Sequence, residues 1–277
     1  MTIFKIVSMM FMGTLIFMLV MGADMHAEQK TYHKIDDVPV EKWESLLNYT
    51  IYFGHQSVGY NIVEGIEDIM RENEHIKLNI METDSWQDEQ SHVFAHSKVG
   101  KNRYPLLKID DFSNNIQKGF GVRADIAFLK LCFVDTYKDT DIVEIFNHYN
   151  ASLNVLKGQY PNTTFVHLTM PIMIQEKGLK STMKRVLGKH VMGYEDNLRR
   201  EEYNMMIRNE YGGREPLFDI ALIESTRRDG TREKYEKDGV QYYALVPEYT
   251  NDGGHLNKMG RRIVAEQFLI FLANLID

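Results

Sequence analysis

Apolar runs alternate with amphipathic stretches along most of this chain, and that alternation restricts its fold more than any other feature. Segments 50–56 (TIYFGHQ), 124–134 (ADIAFLKLCFV), 163–173 (TTFVHLTMPIM) and 217–225 (LFDIALIES) read as buried strands, and 76–82 (IKLNIME) alternates as a strand does. Between them, 58–73 carries Ile62, Val63, Ile66, Ile69 and Met70 on one helical face, and 141–158 is amphipathic up to its terminal glycine. A further helix is predicted near 196–211, ending at Gly212 and Gly213. The last, 257–276, has Asn257 in the capping position. Residues 83–120 read as polar and irregular, and 233–245 as a hairpin turning at Asp238-Gly239. Continuous apolar strands separated by helices predict a parallel sheet covered on both faces, because crossover helices occupy both sides of such a sheet.

The first residues have a different character. Lys5 precedes an apolar run over residues 6–21, and the small residues Gly22, Ala23 and Ala27 follow. This is the layout of a secretory signal cleaved after Ala23 or Ala27, or of a retained membrane anchor, since the run is almost long enough to span a bilayer. Either route exports the chain, to be secreted or tethered on the extracytoplasmic face. No cysteine stands near the exit, which argues against a lipid-anchored form. The organisation is therefore a signal or anchor over 1–27 and a single domain over 28–277.

A net charge of −7 makes nucleic acid a poor partner. The single cysteine, Cys132, excludes an intramolecular disulfide and a cysteine zinc site, and its apolar surroundings suit an inert buried thiol. His92 and His96 have helical spacing but no glutamate between them in a metalloprotease pattern, so neither a catalytic metal nor another cofactor is expected. Lys177, Lys180, Lys184, Arg185 and Lys189 make one loop strongly basic, as a solvated face or as the lining of a cleft for an anionic glycan.

Sites in open parallel sheets form beyond the carboxyl ends of the strands. Ser57 falls at such an end, where a serine serves as a helix cap or as a nucleophile. Gly100 and Asn102 lie in the loop after the second expected strand. Asp252 and His255 lie just before the last helix, three residues apart, a spacing that puts both side chains on the same side of a tight turn. A neutral imidazole in that place can take a proton from a serine hydroxyl when a carboxylate fixes its tautomer.

Together these blocks resemble the SGNH/GDSL hydrolase superfamily. FGHQSVG is similar to its nucleophile block, with Ser57 as the serine and His55-Gln56 in place of Gly-Asp; DGGHLNKMG is similar to its last block, with Asp252 and His255 as acid and base. SKVGKN supplies the glycine block through Gly100. The resemblance implies a three-layer α/β/α, flavodoxin-like fold around a mostly parallel five-stranded sheet. It also implies a serine esterase acting on a small-molecule or glycan acyl ester, with acetyl groups on carbohydrate as the substrate class. The same triad serves an O-acyltransferase, and a catalytically silent glycan-binding protein keeps the same fold. The family's Gly-x-Asn-Asp block is altered: in CFVD, Val134 stands where the oxyanion-binding asparagine belongs, and Asp135 is retained. The expected oxyanion donors are the backbone N–H groups of Ser57 and Gly100 and the side chain of Asn102, which otherwise stabilises its own turn.

Overall fold

In a computed structural model of the protein, residues 31–86 and 92–276 are described, Lys180 and Arg185 by their backbone alone. The expected signal or anchor over 1–27 lies outside the described residues. From Tyr32 onward the chain forms one compact unit.

The central sheet has six strands in the order β2-β3-β1-β4-β5-β6. These are β1 (Ile51–His55), β2 (Ile80–Glu82), β3 (Phe94–Lys98), β4 (Ile126–Leu129), β5 (Thr164–Leu168) and β6 (Leu217–Phe218). All five pairings are parallel, so the carboxyl ends of the strands share one edge. β1 is central: Phe53 pairs with His96 on one side and Phe128 on the other. A strand hydrogen-bonded on both sides and covered on both faces must be apolar throughout, and all five β1 residues are buried.

Successive side chains point to opposite faces and build two halves of the core. Ile51 and Phe53 join Phe128 and residues of α1 (Val40–Leu46), α2 (Val58–Glu72), α7 (Ile220–Ser225) and α8 (Lys258–Leu275). Tyr52 and Ala127 join α3 (Pro105–Gln117), α4 (Ile142–Gln159) and α6 (Asp196–Tyr211) on the other face. Both halves lie entirely between Tyr32 and Ile276. The remaining elements are the short helix α5 (Leu179–Val186) and an antiparallel hairpin of β7 (Lys234–Lys237) and β8 (Val240–Tyr243), which turns at Asp238 and Gly239 with positive φ at both.

Three expectations are corrected. The sheet has six strands rather than five, because β3 and then α3 form inside the stretch read as irregular. The sequence FAHSK carries two polar residues among its first four, yet all four are buried, which explains why it was not recognised as a strand. The expected strand over 217–225 stops after Phe218. The Asp219 carboxylate, held by Arg208 Nε at 2.7 Å and Thr169 Oγ1 at 2.9 Å, accepts the Leu222 N–H and starts α7 instead.

α7 carries a fully buried carboxyl group beside the end of β5. Glu224 Oε2 accepts the Ile172 N–H at 2.8 Å, and Oε1 has no protein partner among the described residues. Burial raises its pKa to about 8, against the pull of that N–H and of Lys130 and Arg200. A pKa raised on folding stabilises the native state below the unfolded value and loses that contribution as pH rises toward 8. Thermal unfolding of the wild type should therefore shift to lower temperature between pH 5 and 8. In Glu224→Gln that part of the pH dependence should vanish.

Candidate active site

The corner between β1 and α2 decides the fate of Ser57. The chain leaves the sheet at His55 and enters α2 at Val58, and Ser57 takes φ 56° and ψ −112° to make the turn. For a non-glycine residue this conformation costs about 1–3 kcal/mol, so the surrounding structure has to impose it. Ser57 occupies the capping position of α2, yet its side chain makes no capping hydrogen bond. Its Oγ lies 2.6 Å from His255 Nε2 instead.

The layer beneath is made of buried rings. His55 is fully buried, and its Nε2 lies 3.1 Å from His96 Nδ1. Burial, reinforced by the nearby Lys130, pushes the His55 pKa well down, and burial lowers that of His96. Both rings thus favour the neutral form and pack under the Ser57 corner. A Cβ at Gly59 would stand 2.4 Å from the His55 ring, so the first turn of α2 closes over the imidazole only because residue 59 has no side chain.

The turn before α8 supplies the other two groups. Asp252 Oδ2 lies 2.6 Å from His255 Nδ1, and Oδ1 accepts the N–H groups of Gly254 at 2.9 Å and His255 at 2.8 Å. Partial desolvation works to raise the Asp252 pKa. The two N–H groups and the His255 ring outweigh it and hold the carboxyl at about 2, so it stays ionised. The turn is fixed from three sides. Asn257 caps α8 by accepting from Met259 and Gly260, Asn61 of α2 accepts the Leu256 N–H at 3.1 Å, and the Phe133 ring stands edge-on to His255 with centroids 5.3 Å apart.

The loop after β3 is the third component. Gly100 does not fit the role expected of it: its N–H donates to Asp111 Oδ2 at 2.8 Å and so is not directed at Ser57. Asn102 is exposed, and its Oδ1 accepts from Lys108 Nζ at 2.9 Å. An ammonium only donates, so this contact puts Oδ1 on Lys108 and leaves the NH2 group of the amide out of it. Lys108 itself is fully buried against Asp135, with Nζ 2.7 Å from Oδ2 and 2.9 Å from Oδ1. Asp135 also accepts the Cys132 N–H at 2.7 Å and the Arg103 N–H at 2.9 Å. Gln56, the residue before Ser57, donates to the carbonyls of Val99 at 2.6 Å and Gly100 at 2.8 Å, tying the Ser57 corner to the same loop.

The sequence therefore located the residues of the Ser57–His255–Asp252 chain, and the fold brings these three together. It missed Lys108, Asp111 and the grip of Gln56. The one available signal was the apolar spacing of Ile109, Phe112 and Ile116 in 83–120, which marks α3 and gives Lys108 its buried place.

No family model matches this chain, and no curated protein matches it. Solved structures do. A protein described as a GDSL-like lipase from Parabacteroides merdae aligns with a TM-score of 0.51 at 13% identity, over 82% of this chain and 96% of its own. A lipolytic protein of the G-D-S-L family from Desulfitobacterium hafniense aligns at 0.42 and 9% identity, over 81% and 99%. The periplasmic domain of a lipopolysaccharide acetyltransferase from Salmonella Paratyphi A aligns at 0.43 and 14%, over 78% and 80%. The Parabacteroides likeness shows that this chain shares the three-layer α/β/α fold of that GDSL-like protein.

The buried ion pair under the site gives a stability prediction. Asp135→Ala leaves Lys108 charged and buried without its carboxylate and should destabilise the protein by about 3–5 kcal/mol in urea unfolding. Replacing both residues by apolar ones, Lys108→Met with Asp135→Leu, should cost less than the single change.

Proposed function

We propose that the protein is a serine esterase that hydrolyses O-acyl, foremost O-acetyl, esters. The observation that carries this reading is the unbroken chain from Ser57 Oγ to His255 Nε2 and from His255 Nδ1 to Asp252 Oδ2, with 2.6 Å at each step. In this reaction Ser57 Oγ attacks the ester carbonyl while Nε2 takes its proton. The ionised Asp252 holds Nδ1–H in place and favours the imidazolium that forms. The imidazolium returns the proton to the leaving alkoxide, and water then clears the acyl-enzyme by the same route in reverse.

The tetrahedral oxyanion needs donors. The Ser57 N–H at the start of α2 is one, and the Asn102 amide, its Oδ1 held by Lys108, is the second. Asn102 thus takes the part that Val134 cannot. The charge of Asp135, which would repel an oxyanion, is neutralised by Lys108.

Export through residues 1–27 and a glycan as the carrier of the acyl group complete the reading. They rest on the N-terminal pattern and on the resemblance of the sequence blocks. Transfer to a sugar hydroxyl is a second reading favoured by one observation: the His255 and Asp252 side chains are 49% and 56% exposed, so the site is shallow enough to admit an alcohol in place of water.

Ser57→Ala should lower turnover of p-nitrophenyl acetate by several powers of ten with an unchanged circular dichroism spectrum, and a fluorophosphonate should label Ser57 alone. Labelling elsewhere would remove Ser57 from the nucleophile's role. Asn102→Ala should reduce kcat by about a hundredfold to a thousandfold with KM nearly unchanged, the loss usual for one oxyanion donor. A polysaccharide acceptor added to the assay separates transfer from hydrolysis.

A further inference from the structure

The segment between β5 and α6 contains a helix that is inside out. On α5, Leu179, Met183 and Val186, followed by Leu187, recur at the spacing that lines one helical face. These four side chains are 85%, 64%, 82% and 64% exposed. The opposite side faces the protein with polar groups. Ser181 is buried and donates to the Gly178 carbonyl at 2.8 Å, and Lys184 reaches back to Glu176 at 2.7 Å. A short helix that turns its apolar side to water needs an occupant for that side.

The chemistry of the segment indicates which occupant. From Lys177 to His190 the sequence carries Lys177, Lys180, Lys184, Arg185 and Lys189 and no acidic residue, within a protein whose net charge is −7; Lys177 pairs with Glu233 and Lys184 with Glu176, so the excess positive charge of the segment comes from Lys180, Arg185 and Lys189. Concentrated positive charge beside an exposed apolar face complements an anionic lipid surface, where leucine, valine and methionine enter the acyl boundary and the basic groups meet headgroups. The apolar run at residues 6–21 points to the same environment.

The residues that flank the helix also pack on the turn that holds Asp252 and His255. The Ile174 N–H donates to the Gly253 carbonyl at 2.9 Å, and the Glu176 N–H donates to the Met192 carbonyl at 3.1 Å, closing the base of the excursion. A Cβ at Gly253 would lie 2.8 Å from Met192 Sδ and 3.1 Å from Ile174. The base of the α5 excursion therefore packs on the residue next to Asp252 and two before His255.

We propose that α5 and Leu187 form a docking surface for an anionic lipid bilayer, which seats the face carrying Ser57 and His255 against the membrane. The surface is independent of the esterase reading, and its test does not need esterase activity. Residues 28–277 hold all the strands and both halves of the core found among the described residues, so they are suited to flotation with vesicles in the absence of the N-terminal run. The wild-type sequence should float with vesicles of equal parts phosphatidylglycerol and phosphatidylcholine and not with phosphatidylcholine alone, and added salt should release it. Leu179→Glu with Val186→Glu should weaken the partition by about tenfold or more. The circular dichroism spectrum and any turnover of p-nitrophenyl acetate should stay as in the wild type. Equal flotation of variant and wild type, or none by either, would overturn the proposal. So would a dimer in sedimentation that the two glutamates dissociate without vesicle binding, which would give the surface to a second copy of the chain.

Discussion

The site depends on the carboxylate of Asp135. It lies where β4 leaves the sheet and gathers donors from three parts of the chain: the Cys132 N–H from its own turn, the Arg103 N–H from the loop after β3, and the Lys108 ammonium from α3. A buried charge of this kind is tolerable only with full compensation, and the compensation sets the geometry. Lys108 is anchored, Asn102 is turned by Lys108, and the loop from Val99 onward is drawn under Gln56, next to Ser57. The loop after β3 is thereby held to the same edge of the sheet as Ser57.

The rest of the site is fixed by short-range chemistry, which is why the sequence revealed it. Asp252 and His255 need only a tight turn and the Asn257 cap to meet, and both are written within six residues. Ser57 needs only a strand that ends and a helix that begins. Long-range compensation is not written in that way. Nothing in FAHSK announces a strand, because its histidine and serine are buried by contacts with distant partners: His96 with His55, and Ser97 with Tyr52 at 2.8 Å. Lys108 looks like any solvated lysine until α3 turns it inward. Gly100 looks like a free backbone donor until Asp111, eleven residues on, takes its N–H. LFDIALIES has the apolar content of a strand, and one aspartate held by Arg208 converts most of it to helix.

The two buried histidines illustrate how the corner is kept rigid without charge. Desolvation lowers the pKa values of His55 and His96, so the Ser57 corner rests on stacked rings 5.2 Å apart that favour the neutral form. The only charged partner that His255 meets in this chain of contacts is Asp252, whose carboxyl is held ionised by two backbone N–H groups.

The backbone of Ser57 has a consequence for how such a protein changes over time. Its positive φ is a standing burden on folding that the hydroxyl alone does not require. Glycine at that position would relieve the strain and remove the hydroxyl that meets His255 in one step, so the gain in stability comes with the loss of that contact. The exchange would keep the sheet and the helices as a scaffold and break the Ser57–His255–Asp252 chain at its first member.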